Sequence, residues 1–196
     1  LRFNNANRGA VHAIALRGIR QFGPYDLSFF TKRHLNCGLL YPASARAMRN
    51  DLVNGLLHGD GPNFPGFATL FRVQLTFDSS REESIRSAES EPEFRRAATR
   101  LASGDCDLVF IVGIQQDSGI YQACKETLLL NGVPCQVLAT NRFHIPNQRP
   151  WILGNLALAS YAKVGGTPWV VADTQARHEL VMGVSRAKDA NGRFVV

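Results

Sequence analysis

Two apolar runs bracket an amphipathic segment in the order CDLVFIVG, SGIYQACKETLLLNG, VPCQVL, between residues 106 and 138. No other feature of the sequence constrains the fold as strongly. The first run is almost continuous in Val, Ile, Leu and Phe, as in a strand buried on both faces of a parallel sheet. The middle segment opens at a capping residue, Asp117 or Ser118, and closes at Asn131-Gly132, so it reads as a helix. A strand, a helix and a second strand in succession make a right-handed crossover unit, which joins parallel neighbours.

The flanking sequence extends the pattern. HLNCGLLYP reads as a strand stopped by Pro42, and SARAMRNDLVNGLLHG as a helix with Ala45, Met48, Leu52 and Leu56 on one face and Ser44 as N-cap. FATLFRVQLTF alternates and is rich in aromatic and β-branched residues, which predicts a strand. The mixed-charge stretch DSSREESIRSAESEPEFRRAATRLASGD predicts one or two solvated helices broken at Pro92. WILGNLALASYAKVGG is a helix closed by two glycines, and TPWVVAD and HELVMGVSRAKDANGRFVV read as strands, the last with a turn at DANG. Residues 1–33 read as a strand or two ending in a Gly-Pro turn, with no core of their own. The predicted fold is α/β: a Rossmann-like domain with a mostly parallel sheet.

Composition narrows the function classes. Hydrophobic content of 45% and charged content of 19% are those of a globular protein. No apolar run approaches the ~20 residues of a membrane span, and the first residues lack the apolar core and cleavage site of a signal peptide. The chain does not start with Met, which suggests a piece of something longer. Cys37, Cys106, Cys124 and Cys135 have no CxxC spacing and no matching His interval, which argues against zinc and fits reduced thiols in a cytoplasmic protein. The formal net charge is +6, and residues 1–60 hold eight Arg or Lys against three Asp. Such a balance suits a polyanionic partner, and equally a plain solvated surface.

The loop IQQDSG lies where the first strand of the crossover meets its helix. Ligands of such sheets gather at the carboxyl ends of strands, and helix amino ends attract anions. Tyr121 and Lys125 share a face one turn apart. A phenol and an ammonium there suit a terminal phosphate; a surface Tyr–Lys pair is the simpler reading of the spacing alone. Gln136 interrupts an apolar strand and needs a partner if buried. Asn155, Ala159 and Lys163 lie on one stripe of the later helix, and Lys163 in its last turn also complements the helix dipole. Tyr121, Lys125, Gln136 and Lys163 together can converge on one phosphate.

These four residues carry a family resemblance. The stretch DLVFIVG…SGIYQACKETLLLNGVPCQVL…NLALASYAKVGGTPWVV resembles the MID domain of Argonaute and PIWI proteins, over roughly residues 35–170. The resemblance implies a guide strand whose 5′ phosphate is gripped by Tyr121, Lys125, Gln136 and Lys163, with Gln115, Gln116, Asp117 and Ser118 in the loop that meets the first base. GIRQFGPYDL is similar to the entry segment of prokaryotic Argonautes of the short type, which lack N and PAZ domains. The implied division is a linker segment at 1–34, a MID domain at 35–167 and the start of an RNase H-like PIWI domain at 168–196. One position departs from the pattern: many relatives carry a second Lys or a Gln where this chain has Ala159. In many prokaryotic relatives a divalent cation such as Mg²⁺, held partly by the C-terminal carboxylate, supplements the pocket. That makes such a cation possible here too, with no ligand named because Val196 is not established as the true end.

In slicing relatives the first catalytic Asp follows Gly and one apolar residue. Here Gly183 and Val184 are followed by Ser185, and a hydroxyl cannot bridge two Mg²⁺ ions as a carboxylate does. Asp173 and Asp189 read as loop or turn residues. The resemblance therefore implies an inactive Argonaute with no catalytic residues. It would bind guide RNA or DNA and a complementary, single-stranded DNA target in prokaryotic defence, beside a TIR or sirtuin-like effector partner and away from membranes. The rival is a small-molecule or nucleotide-binding enzyme on a Rossmann-like sheet. It would need a Gly-rich phosphate loop, and no GxGxxG is present. A third reading is a pure interaction domain with an incidental basic face.

Overall fold

The computed structural model of the 196-residue chain describes residues 1–115, 118–139 and 143–171, with the backbone of 187–188 and 194–195. Four strands, β1 (His34–Pro42), β2 (Gln74–Ile85), β3 (Leu108–Val112) and β4 (Cys135–Leu138), pair in the order β2-β1-β3-β4. Every ladder of this sheet is parallel. The chain steps outward from β1 to β2 and then returns to the other side of β1 with β3. The sheet therefore has a topological switch point between β1 and β3, where a crevice opens at the carboxyl ends.

Alternation along the strands builds two cores. Leu35, Cys37, Leu39 and Tyr41 of β1, with Leu108, Phe110 and Val112 of β3, face one layer. Leu40, Val109 and Ile111 face the other. Helices α2 (Arg46–His58), α3 (Phe67–Phe71) and α6 (Arg149–Lys163) cover the first face; α4 (Glu91–Ala102) and α5 (Gly119–Leu130) cover the second. This is a three-layer α/β/α arrangement, as the crossover pattern requires.

Several sequence expectations need correction. Residues 1–33 contain a helix, α1 (Ala15–Phe22), where strands were expected; Arg2 makes only isolated bridges to Val11 and Val170. Eight residues are too few for a stable helix in isolation, so α1 exists because Ile19 is buried in the first core. Ser44 does not cap α2: it lies in a 3₁₀ turn, Ala43–Ala45, and Ala45 takes the cap position. FATLF is helical, not extended, because Gly66 opens it at φ 94° and Arg72 closes it in the left-handed region at φ 59°. Pro92 sits in the first turn of α4, where its missing N–H costs nothing, so it starts that helix and breaks none. DSSREESI is the second half of β2, not helix. That strand lies at the sheet edge, and its acids find cations: Arg49 and the Tyr41 phenol donate to Glu82, and Arg100 makes two 2.7 Å bonds to Glu83.

The segment read as a linker is packed into the domain. Phe3, Ala10 and Ile19 are at most 1% exposed and belong to the first core. Asp26, itself 1% exposed, accepts from the Tyr161 hydroxyl at 2.6 Å and from the Thr167 N–H at 2.7 Å. The carboxylate thus ties the N-terminal segment to the end of α6. Further on, β5 (Ala187–Lys188) and β6 (Phe194–Val195) form an antiparallel pair. Most of the expected strands after residue 168, with Asp173, Ser185, Asp189 and Val196, lie outside the described residues. No helix among the described residues is long and apolar enough to cross a membrane.

Candidate phosphate-binding site

Ser118 sets the start of α5. Its Oγ accepts from the Tyr121 N–H at 3.2 Å and donates to the Gln115 carbonyl at 2.8 Å, so the helix begins at a fixed turn. That places Tyr121 in the first turn and Lys125 in the second. Lys125 Nζ donates to the Tyr121 hydroxyl at 3.3 Å and sits 5.5 Å from the ring centroid. The phenol is half-buried against the second core and the ammonium is exposed.

Lys163 reaches the same side from the last turn of α6. Its Nζ donates to the Cys135 carbonyl at 2.6 Å and to Gln136 Oε1 at 2.8 Å. The second contact gives Gln136 the partner that a polar side chain in an apolar strand requires. Two glycines let α6 end here. Gly165 has φ 94°, and a Cβ on Gly166 would fall 2.4 Å from the Tyr161 ring.

The two pairs form one electrostatic unit. Loss of water around its ammonium holds Lys163 below the ordinary lysine range, and the positive charge of Lys125 adds to this. Both lysines act on the Cys135 thiol, which burial pushes up and the two cations pull back. Among the described residues, no carboxylate forms an ion pair with either lysine. The unit is therefore two ammonium groups, a phenol and an amide.

A cavity of about 570 Å³ opens beside this helix end, lined in part by Gln115, Ser118, Gly119, Glu89 and Glu91. Gln115 and Ser118 of the predicted first-base loop line it; Gln116 and Asp117 lie outside the described residues. The two glutamates were missed at the sequence level. They sit in a stretch of mixed charge with nothing to distinguish them, and only the packing of α4 beside α5 brings them to the helix end. A smaller cavity of about 320 Å³ lies at the β1/β3 switch point between Ser44, Met48, Gly113 and Phe143.

Among the described residues no three His, Cys, Asp or Glu side chains gather as metal ligands. The only carbonyl of the ammonium cluster's side chains, Gln136 Oε1, already accepts from Lys163. These donors suit an anion.

Fold and cluster together define a doubly wound α/β domain that presents a paired-ammonium site at its sheet and helix ends. Comparison with known proteins finds similarity to Argonautes. The chain is 28% identical to the protein argonaute of Cereibacter sphaeroides (strain ATCC 17025 / ATH 2.4.3), over 91% of its own length and 25% of that relative. Its fold is similar to that of Clostridium butyricum Argonaute, solved bound to a guide DNA (5′ deoxycytidine) and a 19-mer target DNA. That likeness has a TM-score of 0.54 at 17% identity and covers 75% of this chain and 22% of the other. No family model matches the chain. The resemblance to Argonaute read from the sequence is borne out, and the chain spans about a quarter of the length of the relatives it matches.

Proposed function

We propose that this chain binds a guide nucleic acid by its 5′ phosphate, held by Lys125, Lys163, Tyr121 and Gln136. The observation that carries the reading is the ammonium pair itself. Two ammonium groups, Lys163 held dry by burial and neither paired with a carboxylate among the described residues, are a charge arrangement that an anion would relieve. A terminal phosphate brings up to two charges and three acceptor oxygens, enough for both ammonium groups and the phenol.

The geometry also orients the ligand. Glu89 and Glu91 line the cavity at the helix end, so a phosphate is repelled there and drawn to the lysine side. The cavity then receives the first base, whose amino groups find acceptors in the glutamates. Sequence specificity comes from pairing of the guide with its target, in the manner of other guided systems. The region 35–167 serves as the MID unit and residues from 168 onward begin the PIWI domain. With Ser185 at the position of the first catalytic acid, the chain guides without slicing, and an effector partner delivers the response in prokaryotic defence. Whether the guide is RNA or DNA is decided by the nucleic acid that copurifies with it.

The test is a titration with 5′-phosphate and 5′-hydroxyl guides at fixed salt, with wild-type protein, Lys125→Ala and Lys163→Ala. Each charge-assisted bond is worth about 1.5–3 kcal/mol, so removing the phosphate weakens binding by roughly a hundredfold or more. Each lysine variant should lose part of that preference. Equal affinity for the two guides in the wild type would dispose of the site, because a diffuse basic face barely senses one terminal phosphate.

A further inference from the structure

A second surface has the chemistry of a nucleic-acid contact and lies apart from the ammonium cluster. A groove of about 470 Å³ runs between α1 and α6, lined by Arg17, Arg20, Asn63, Trp151, Asn155 and Leu158 among others. Trp151 stands 54% exposed at the start of α6, large for an indole on a folded domain. Arg17 and Arg20 lie one turn apart on the exposed side of α1, and Arg20 is aimed by a 2.7 Å bond to the Pro62 carbonyl. Among the described residues, no carboxylate lines the groove. The absence extends further: residues 1–25 contain four arginines and no Asp or Glu, and α6 contains no acid at all.

An exposed aromatic face beside two guanidiniums that form no ion pair among the described residues, with two amides, is the combination that binds single-stranded nucleic acid without regard to sequence. Bases stack on the ring and the cations take the phosphates. The aliphatic wall at Leu158 and Ile14 fits the edge of a stacked base. A groove open to solvent, with a net positive lining, is complementary to a polyanion and not to a neutral or basic partner. Trp151 and Lys163 are twelve residues apart on one helix, about 18 Å at the α-helical rise, so the groove is a separate contact.

We infer that the α1/α6 groove is a second, sequence-independent binding site for a single strand, with Trp151 as the stacking platform and Arg17 and Arg20 as phosphate contacts. The inference shares only the class of ligand with the proposed 5′-phosphate site. The chain has two tryptophans, so Trp169→Phe leaves Trp151 as the sole indole of the 196-residue chain. In that background, a 5′-hydroxyl oligothymidine of about 12 nucleotides should quench the indole saturably, and added salt should reverse the quench. By anisotropy of a labelled strand, Trp151→Leu should weaken binding about tenfold, as should Arg17→Gln with Arg20→Gln. Because these side chains are exposed, the variants remain folded, which circular dichroism checks. Lys125→Ala with Lys163→Ala should leave the quench intact, so failure of the phosphate site and failure of the groove are read separately. Absence of quenching, or unchanged affinity in Trp151→Leu, overturns the inference. So does a blue shift of Trp151 with an acidic amphipathic peptide in place of quenching by the strand, which would make the groove a protein-docking surface.

Discussion

Tyr161→Phe isolates one buried hydrogen bond that fixes the end of α6. The Tyr161 ring is fully buried and stacks on Phe71, with centroids 4.4 Å apart and planes at 16°. Phenylalanine keeps that packing, so the substitution removes only the hydroxyl. The hydroxyl donates at 2.6 Å to Asp26, a carboxylate that is 1% exposed. A hydrogen bond to a charged group contributes about 1.5–3 kcal/mol, and the upper half of that range applies because both partners are dry. Asp26→Ala is harsher, since it orphans both the Tyr161 hydroxyl and the Thr167 N–H at about 1–3 kcal/mol each. In the double variant the hydroxyl is no longer there to be orphaned. The combined loss should therefore fall short of the sum by about 1–2 kcal/mol. Urea unfolding of wild type, both single variants and the double measures all four corners of the cycle. A loss below about 0.5 kcal/mol in Tyr161→Phe, or additivity within about 0.5 kcal/mol, would refute the reasoning.

The pH dependence of guide binding follows from Lys163. Its pKa lies below the ordinary 10.5, so the ammonium that binds an anion is fully present only below that depressed value and is lost as pH rises through it. The preference for 5′ phosphate should accordingly fade at alkaline pH before bulk lysines titrate, and Lys163→Arg, which stays charged, should carry it to higher pH; identical profiles for the two proteins would contradict this. Gly55→Ala should destabilise by about 1–3 kcal/mol although alanine favours helices, because its Cβ would fall 2.5 Å from Leu153 Cδ1 in a fully buried contact between α2 and α6. A thermal melt in which this variant is as stable as wild type would mean that Leu153 can move aside.

The heart of the fold is legible in local pattern. Residues 108–112 and 135–138 are strands because their apolar runs suit two-sided burial, and 119–130 and 149–163 are helices because their periodicity and end signals agree. The residue types at 121, 125, 136 and 163 are likewise read from the sequence. Local pattern failed where tertiary context overrode it. FATLF has strand composition, yet two left-handed backbone positions close it into a single helical turn. DSSREESI has the polarity of a solvated helix, yet it lies on an edge strand where Arg49 and Arg100 neutralise its acids. Residues 15–22 lack the length to be helical alone and take that form against the core. Tertiary packing alone brings Lys163 to Gln136 from 27 residues away, dries its ammonium, and sets Glu89 and Glu91 along the cavity at the helix end. Periodicity fixes which way a side chain faces within its own element, while distances between elements depend on how the layers pack, and the chemistry of the site resides in those distances.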